Sequence, residues 1–125
     1  MTTWYSATTP EQADRLLAAW PDAPTENQEL CGFLLDIARE QVLEFAPPYP
    51  GLDSSERWEH MAAWDLDPAP RFVYAQLQQA TNLWNAGRAQ QDSSVGSEGY
   101  SFTPRPLDKT IRSIIRPTSG VANVF

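Results

Sequence analysis

This chain has little cysteine, little histidine and no long apolar run, and each shortage excludes something. A single cysteine, Cys31, leaves no internal disulfide framework. A single histidine, His60, leaves no HExxH, CxxC or HxE-type ligand pattern. No apolar run approaches the roughly 18 residues that a membrane span requires. The amino terminus lacks the basic and apolar regions of a secretory signal, so the chain is expected to be cytoplasmic when made. Internal repeats and low-complexity tracts are absent. The GSEG stretch lacks the terminal Lys and Ser/Thr of a phosphate-binding loop, and there is no nucleophile elbow. Asp65 and Asp67 lie two apart without the further oxygen donors of a calcium loop. No catalytic set, cofactor site or metal site is therefore expected. An enzymatic reading would rest on His60 and the adjacent Glu59 alone, and His60 in a Trp-rich segment reads as a surface or packing residue.

What is present fits one globular domain. The 125 residues are 42% hydrophobic and 20% charged. The net charge of −7 is unevenly spread. Residues 1–100 carry five basic and fifteen acidic side chains, a balance of −10. Residues 101–125 set Arg105, Lys109, Arg112 and Arg116 against Asp108 alone, a balance of +3. An acidic body argues against sequence-reading DNA binding, which wants a basic footprint. The basic end suits docking on an acidic neighbour or another copy; the plainer reading is a solvated helix face.

Helical periodicity dominates. Residues 70–88 place Val73, Leu77, Ala80 and Trp84 on one face, widened by Phe72, Gln76 and Leu83. Gln78, Gln79, Thr81, Asn82 and Asn85 fall largely opposite. Pro70 suits the first turn, and Gly87 followed by Arg88 suits the last, giving a central helix of roughly 27 Å. Upstream, Thr9-Pro10-Glu11-Gln12 predicts a capped start, with Gln12 as capping-box partner, and Pro21 a stop. Ala13, Leu16, Leu17 and Trp20 form its stripe. Trp4 and Tyr5 pack over this helix or on a neighbouring subunit, unless the terminus is loose.

Thr25 with Gln28 repeats the capping pattern and predicts a second helix to about Phe45. Leu30, Leu34, Ile37 and Phe45 share a face with Ala38 and Gln41, and Cys31, Leu35 and Val42 add a second apolar edge. Cys31 there reads as a small core residue. Glu29, Asp36, Glu40 and Glu44 form an acidic side. Residues 46–69 predict an irregular excursion with a short helix, capped by Asp53 and Glu56 and carrying Trp58, Met61 and Ala62. Residues 90–105 read as a β-hairpin or tight glycine loop. Pro106-Leu107-Asp108 then opens a last helix with Leu107, Ile111, Ile114 and Ile115 facing inward, broken by Pro117. The remaining segment, TSGVANVF, is apolar at Val121, Val124 and Phe125, as a segment that adds to a neighbour's sheet edge or fills a groove would be; the alternative is a tail folded back on its own core. The fold class is thus all-α: about four main helices, a long loop, a hairpin or glycine loop, and an extended tail. Its organisation is a helical domain over 1–115 and a tail over 116–125.

The order RFVYAQLQQATNLWNAG, then VGSEGYSF, then PLDKTIRSIIRP and an apolar tail resembles the head-to-tail adaptor (connector) proteins of long-tailed bacteriophages, especially those of actinobacterial phages. The likeness covers roughly residues 68–125, with the first two helices matching in pattern; Gly51–Asp67 departs from it in its length and tryptophan content. The resemblance implies a non-enzymatic virion protein of the neck, assembled in the host cytoplasm as a homo-oligomeric ring, expected to be a dodecamer. Such a ring joins the portal protein to a head-tail stopper or tail terminator and surrounds the channel that genomic DNA passes through. By likeness, Arg116, Pro117, Val121, Val124 and Phe125 would bind the portal, and Gly96, Ser97, Glu98, Gly99 and Tyr100 would face the lumen or the lower ring. Arg105, Lys109 and Arg112 suit a subunit interface. The alternative is a small acidic inhibitor or DNA mimic that binds a basic nucleic-acid-handling enzyme, as the −10 body suggests.

Overall fold

Residues 2–93 and 105–117 are described in a computed structural model. They form α1 (Pro10–Ala19), α2 (Gln28–Phe45), α3 (Arg57–Leu66), α4 (Pro70–Ser93) and α5 (Lys109–Ile115), with no strand among the described residues. The protein is an all-α small helical bundle. Of the hairpin or glycine loop expected over 90–105, residues 90–93 are instead helical, as the end of α4, and residues 94–104 lie outside the described residues, as does the tail beyond Pro117.

The helix starts follow local chemistry, with two corrections. Thr9 caps α1 by accepting from the Gln12 amide N–H. The Gln12 side chain does not close a capping box; its Oε1 accepts from Ser6 and Thr8 instead. For α2 the cap is Asn27, not Thr25, because Asn27 Oδ1 accepts from the Leu30 N–H at 3.2 Å. Gln28, freed from capping, donates to the Ala7 carbonyl at 2.8 Å.

Helices α2 and α4 make the spine, and they run antiparallel. The first half of α2 (Cys31, Leu34, Leu35, Ala38) shares one apolar cluster with Leu77, Ala80 and Leu83 of α4, together with Leu16 and Trp20. The second half of α2 (Val42, Leu43) meets Phe72, Val73 and Ala75 at the start of α4, with Ile111 and Ile115 of α5. Trp4 and Trp64 complete this second cluster. Trp4 thus packs within its own subunit, and its indole N–H donates to the Asp65 carbonyl at 2.9 Å.

The central helix departs from its expected outline in two ways. It continues through Gly87 and Arg88 to Ser93, a length of roughly 36 Å. A glycine costs a helix only about 1 kcal/mol, and Gly87 is buried, so here it is a packing position and not an end. Gln79, expected on the solvent side, is fully buried, as is Gln76. Gln76 works as an inserted peptide group. Its Oε1 accepts from the Tyr5 N–H at 2.8 Å, while Nε2 donates to the carbonyls of Tyr5 and Leu35, each at 3.1 Å. Gln79 Nε2 donates to Gln41 Oε1 at 2.9 Å and to the Arg105 carbonyl at 2.8 Å, leaving its own Oε1 without a partner.

Between α2 and α4 the chain is strapped down, not irregular throughout. Tyr49-Pro50-Gly51-Leu52 forms a turn in which the Leu52 N–H returns to the Tyr49 carbonyl and Gly51 holds φ at 81°. Proline second and a left-handed glycine third are what a type II turn demands. Three residues on one side of α3 and at its end then grip this loop. His60 Nδ1 accepts from the Tyr49 N–H at 2.9 Å, which leaves Nε2 to carry the proton toward the Ser54 carbonyl at 2.7 Å. Trp64 donates to the Pro47 carbonyl at 2.7 Å, and Asp67 accepts from the Tyr49 hydroxyl at 2.9 Å. Trp64 is the buried aromatic of α3, set edge-on against Tyr49 and Phe72, whereas Trp58 is exposed. The cap of α3 is Glu56, which makes no side-chain capping bond.

Replacing Gln76 with Leu strands the Tyr5 N–H and two carbonyls, so a loss of about 2–3 kcal/mol is expected in urea unfolding, with accelerated exchange of the Tyr5 amide. Cys31 gives a second expectation. Burial first, and the Glu26 carboxylate second, push its thiol up from 9.0 to about 11. The neutral thiol is favoured in the folded state, so its stabilisation is complete below pH 9.0 and is lost as pH rises through about 11. Unfolding midpoints across that window should fall less steeply in Cys31→Ala than in the parent chain.

Candidate docking face

The approach to α5 is fixed before the helix begins. Gln41 and Gln79 both donate to the Arg105 carbonyl at 2.8 Å, one from α2 and one from α4. Asp108 then caps α5 by accepting from the Ile111 N–H at 2.8 Å, and its other oxygen accepts from Asn82 at 3.2 Å. With Ile111 and Ile115 turned into the core, Lys109, Arg112 and Arg116 are left in one exposed row. Among the described residues, the Lys109 and Arg112 side chains make no hydrogen bond or ion pair.

Arg116 is engaged within its own chain. Its guanidinium donates to the carbonyls of Phe45 at 2.6 Å and Ala46 at 3.2 Å and lies 4.8 Å from the Phe45 ring centre. Arg57, at the start of α3, donates to the Glu44 carbonyl from the other side. Helix α2 has no basic residue in its last turn, so these two arginines supply the positive charge that its carboxyl-terminal carbonyls attract.

Arg57 also borders, together with Arg112, an open groove of about 310 Å³ between α2, α3 and the α5 approach. Phe45 and Leu107 contribute its apolar surface, and Glu44, Arg57 and Arg112 its charged rim. On one side it meets a hollow bordered by Trp58 and Met61, and on the other a smaller one bordered by Lys109 and Arg116. Trp58 is 65% exposed. Of the residues assigned a role from the sequence, Lys109, Arg112 and Arg116 come together here. Arg105 projects elsewhere, beside Asn82 and Asn85, and Pro117 is exposed just past α5. Gly96, Ser97, Glu98, Gly99, Tyr100, Val121, Val124 and Phe125 lie outside the described residues. Sequence reasoning missed Phe45, Arg57 and Trp58 as members of this face.

The remaining polar residues do not converge. Asp65 pairs with Arg39 at 2.6 Å, Asp67 is taken by Tyr49, and both ring nitrogens of His60 face backbone groups. The Asp67 carboxylate in turn holds the Tyr49 hydroxyl above its ordinary range. No cluster of three or more His, Cys, Asp or Glu side chains is placed to hold a metal among the described residues. Among those residues no helix is long and apolar enough to cross a membrane. Glu29, Asp36, Glu40 and Glu44 of α2 are all exposed. Comparison with known proteins returned no matching family model, no matching curated protein and no matching solved structure.

Arg116→Ala should lower stability by about 1 kcal/mol, since it frees the end carbonyls of α2. Lys109→Ala and Arg112→Ala should stay within about 0.5 kcal/mol, as exposed surface substitutions do. Chemical unfolding of the three variants checks this ordering.

Proposed function

We propose that this protein is a virion structural protein without enzymatic activity. Copies form a ring in the phage neck that joins the portal to the tail-completion proteins and encloses the DNA channel. One observation carries the reading: a row of α5 cations beside an open, partly apolar groove on an otherwise acidic helical body. A closed ring needs two different complementary patches on each copy, and opposite charge on separate faces suits that requirement. Exposed carboxylates along α2 suit a channel wall, because they repel phosphates and leave DNA free to slide. The likeness of residues 68–125 to phage adaptors supports the assignment of portal binding to residues 116–125 and of a lumen or lower-ring role to Gly96–Tyr100.

The same exposed α2 carboxylates favour one alternative, an acidic inhibitor that mimics DNA toward a basic enzyme. Electron microscopy with a candidate portal separates the two. An adaptor yields large portal-attached rings, whereas a mimic binds its enzyme as a monomer or dimer. Deleting residues 118–125 should abolish portal attachment with the helical circular dichroism unchanged. Portals joined equally well by the truncated chain would overturn the tail's role, and failure of the full chain to decorate any portal would overturn the ring.

A further inference from the structure

Helix α3 ends in the most exposed large apolar side chain of the described protein. Leu66 is 84% exposed and stands between Asp65 and Asp67. The last turn of α3 contains no basic residue, so this corner also carries the negative end of the helix dipole. It is an apolar knob flanked by the Asp67 carboxylate on one side and by Asp65, already paired with Arg39, on the other. The groove between α2, α3 and α5 has the complementary character, with Phe45 and Leu107 on its surface and Arg57 and Arg112 at its rim.

We infer that the groove of one copy receives the Asp65-Leu66-Asp67 corner of a second copy. The isobutyl group of Leu66 covers Phe45 and Leu107, and the Asp67 carboxylate approaches Arg112. Other occupants fit less well. The segment 118–125, TSGVANVF, contains no Asp or Glu, so its side chains offer the rim cations nothing. A nucleic acid would run successive phosphates past Glu44 and Glu56, which border the groove and its adjoining hollow. It has no aliphatic group for Phe45 and Leu107, whereas the corner brings Leu66 and needs only Asp67 set at Arg112, away from Glu44. Leu66 does not occupy its own groove, because it is exposed.

Knob and groove are different patches of one chain, so the contact is head-to-tail and propagates to a closed ring or an open filament. It deepens the ring reading by naming the contact between neighbours and rests on that reading for closure, while self-association alone tests it. The rim charges make it salt-sensitive.

Two surface variants decide the matter. Leu66→Glu removes the knob and leaves the groove; Arg112→Glu spoils the groove and leaves the knob. Circular dichroism confirms folding, and Leu66→Ser replaces Leu66→Glu if that variant misfolds. In sedimentation at about 0.5 mM protein and roughly 50 mM salt, the parent chain should associate, and each variant alone should associate at least about tenfold more weakly. Mixed together, the two variants should form a one-to-one dimer that grows no further, since each supplies the patch that the other lacks. A monomeric parent chain, an absent mixed dimer, or association lost on deletion of 118–125 would overturn the contact. Portal attachment reads separately: rings formed undiminished by both variants sink this contact and keep the ring, while self-association without any portal attachment keeps the contact and sinks the adaptor.

Discussion

The buried carboxamide of Gln76 is the constraint on which the arrangement of this bundle depends. Two amphipathic helices packed along one stripe would leave the amino-terminal segment free. Gln76 prevents this by offering Tyr5 an acceptor and a donor in the spacing of a neighbouring peptide, while its second N–H reaches the Leu35 carbonyl across the seam. A side chain with both polar ends satisfied is tolerated where an unpaired one would cost several times more. Three residues along the same helix, Gln79 performs the matching task for the Arg105 carbonyl, at the expense of one unsatisfied oxygen. Helix α4 therefore holds both the first residues and the approach to α5, and the two apolar clusters are joined by polar groups that accept only one registration.

The second node is the end of α2. Its last residues, Glu44-Phe45-Ala46-Pro47, contain neither a capping glycine nor a basic side chain. The carbonyls left over attract Arg57 from α3 and Arg116 from α5, which is why cations gather around Phe45. The docking face is thus partly a consequence of finishing a helix. It also divides the cations by task. Arg57 and Arg116 are committed to carbonyls, whereas the Lys109 and Arg112 side chains make no hydrogen bond or ion pair among the described residues.

Much of this was legible in the linear pattern, and the failures share a cause. Period and caps located the helices, since Thr9, Pro10, Pro70 and Asp108 act on neighbours within four residues. The errors arose where a distant group decided the outcome. Gln79 looked like a solvent residue because nothing local announces a carbonyl that arrives 26 residues later. Gly87 looked like a terminus because its burial depends on tertiary packing. Asn27 displaced Thr25 through a two-residue difference in where α2 begins, which hydropathy does not resolve. Trp64 and Trp58 are six apart on a short helix, and only the loop that closes over α3 decides which is buried. At the docking face the row on α5 was visible, but Arg57 and Phe45 belong to it through contacts between elements.

Position in the core also ties the docking face to the stability of α5. A helix of seven residues is marginal by itself, and α5 persists through the Asp108 cap and two isoleucines packed against α4. Phe45 and Leu107, which contribute the groove's apolar surface, pack against that same cluster from outside. An occupant that covers them removes the remaining apolar surface of the α2–α5 junction from water and so strengthens the attachment of α5 itself. Occupancy and the order of α5 are in this way one equilibrium. The row of cations on α5 is therefore best defined when the groove beside it is covered.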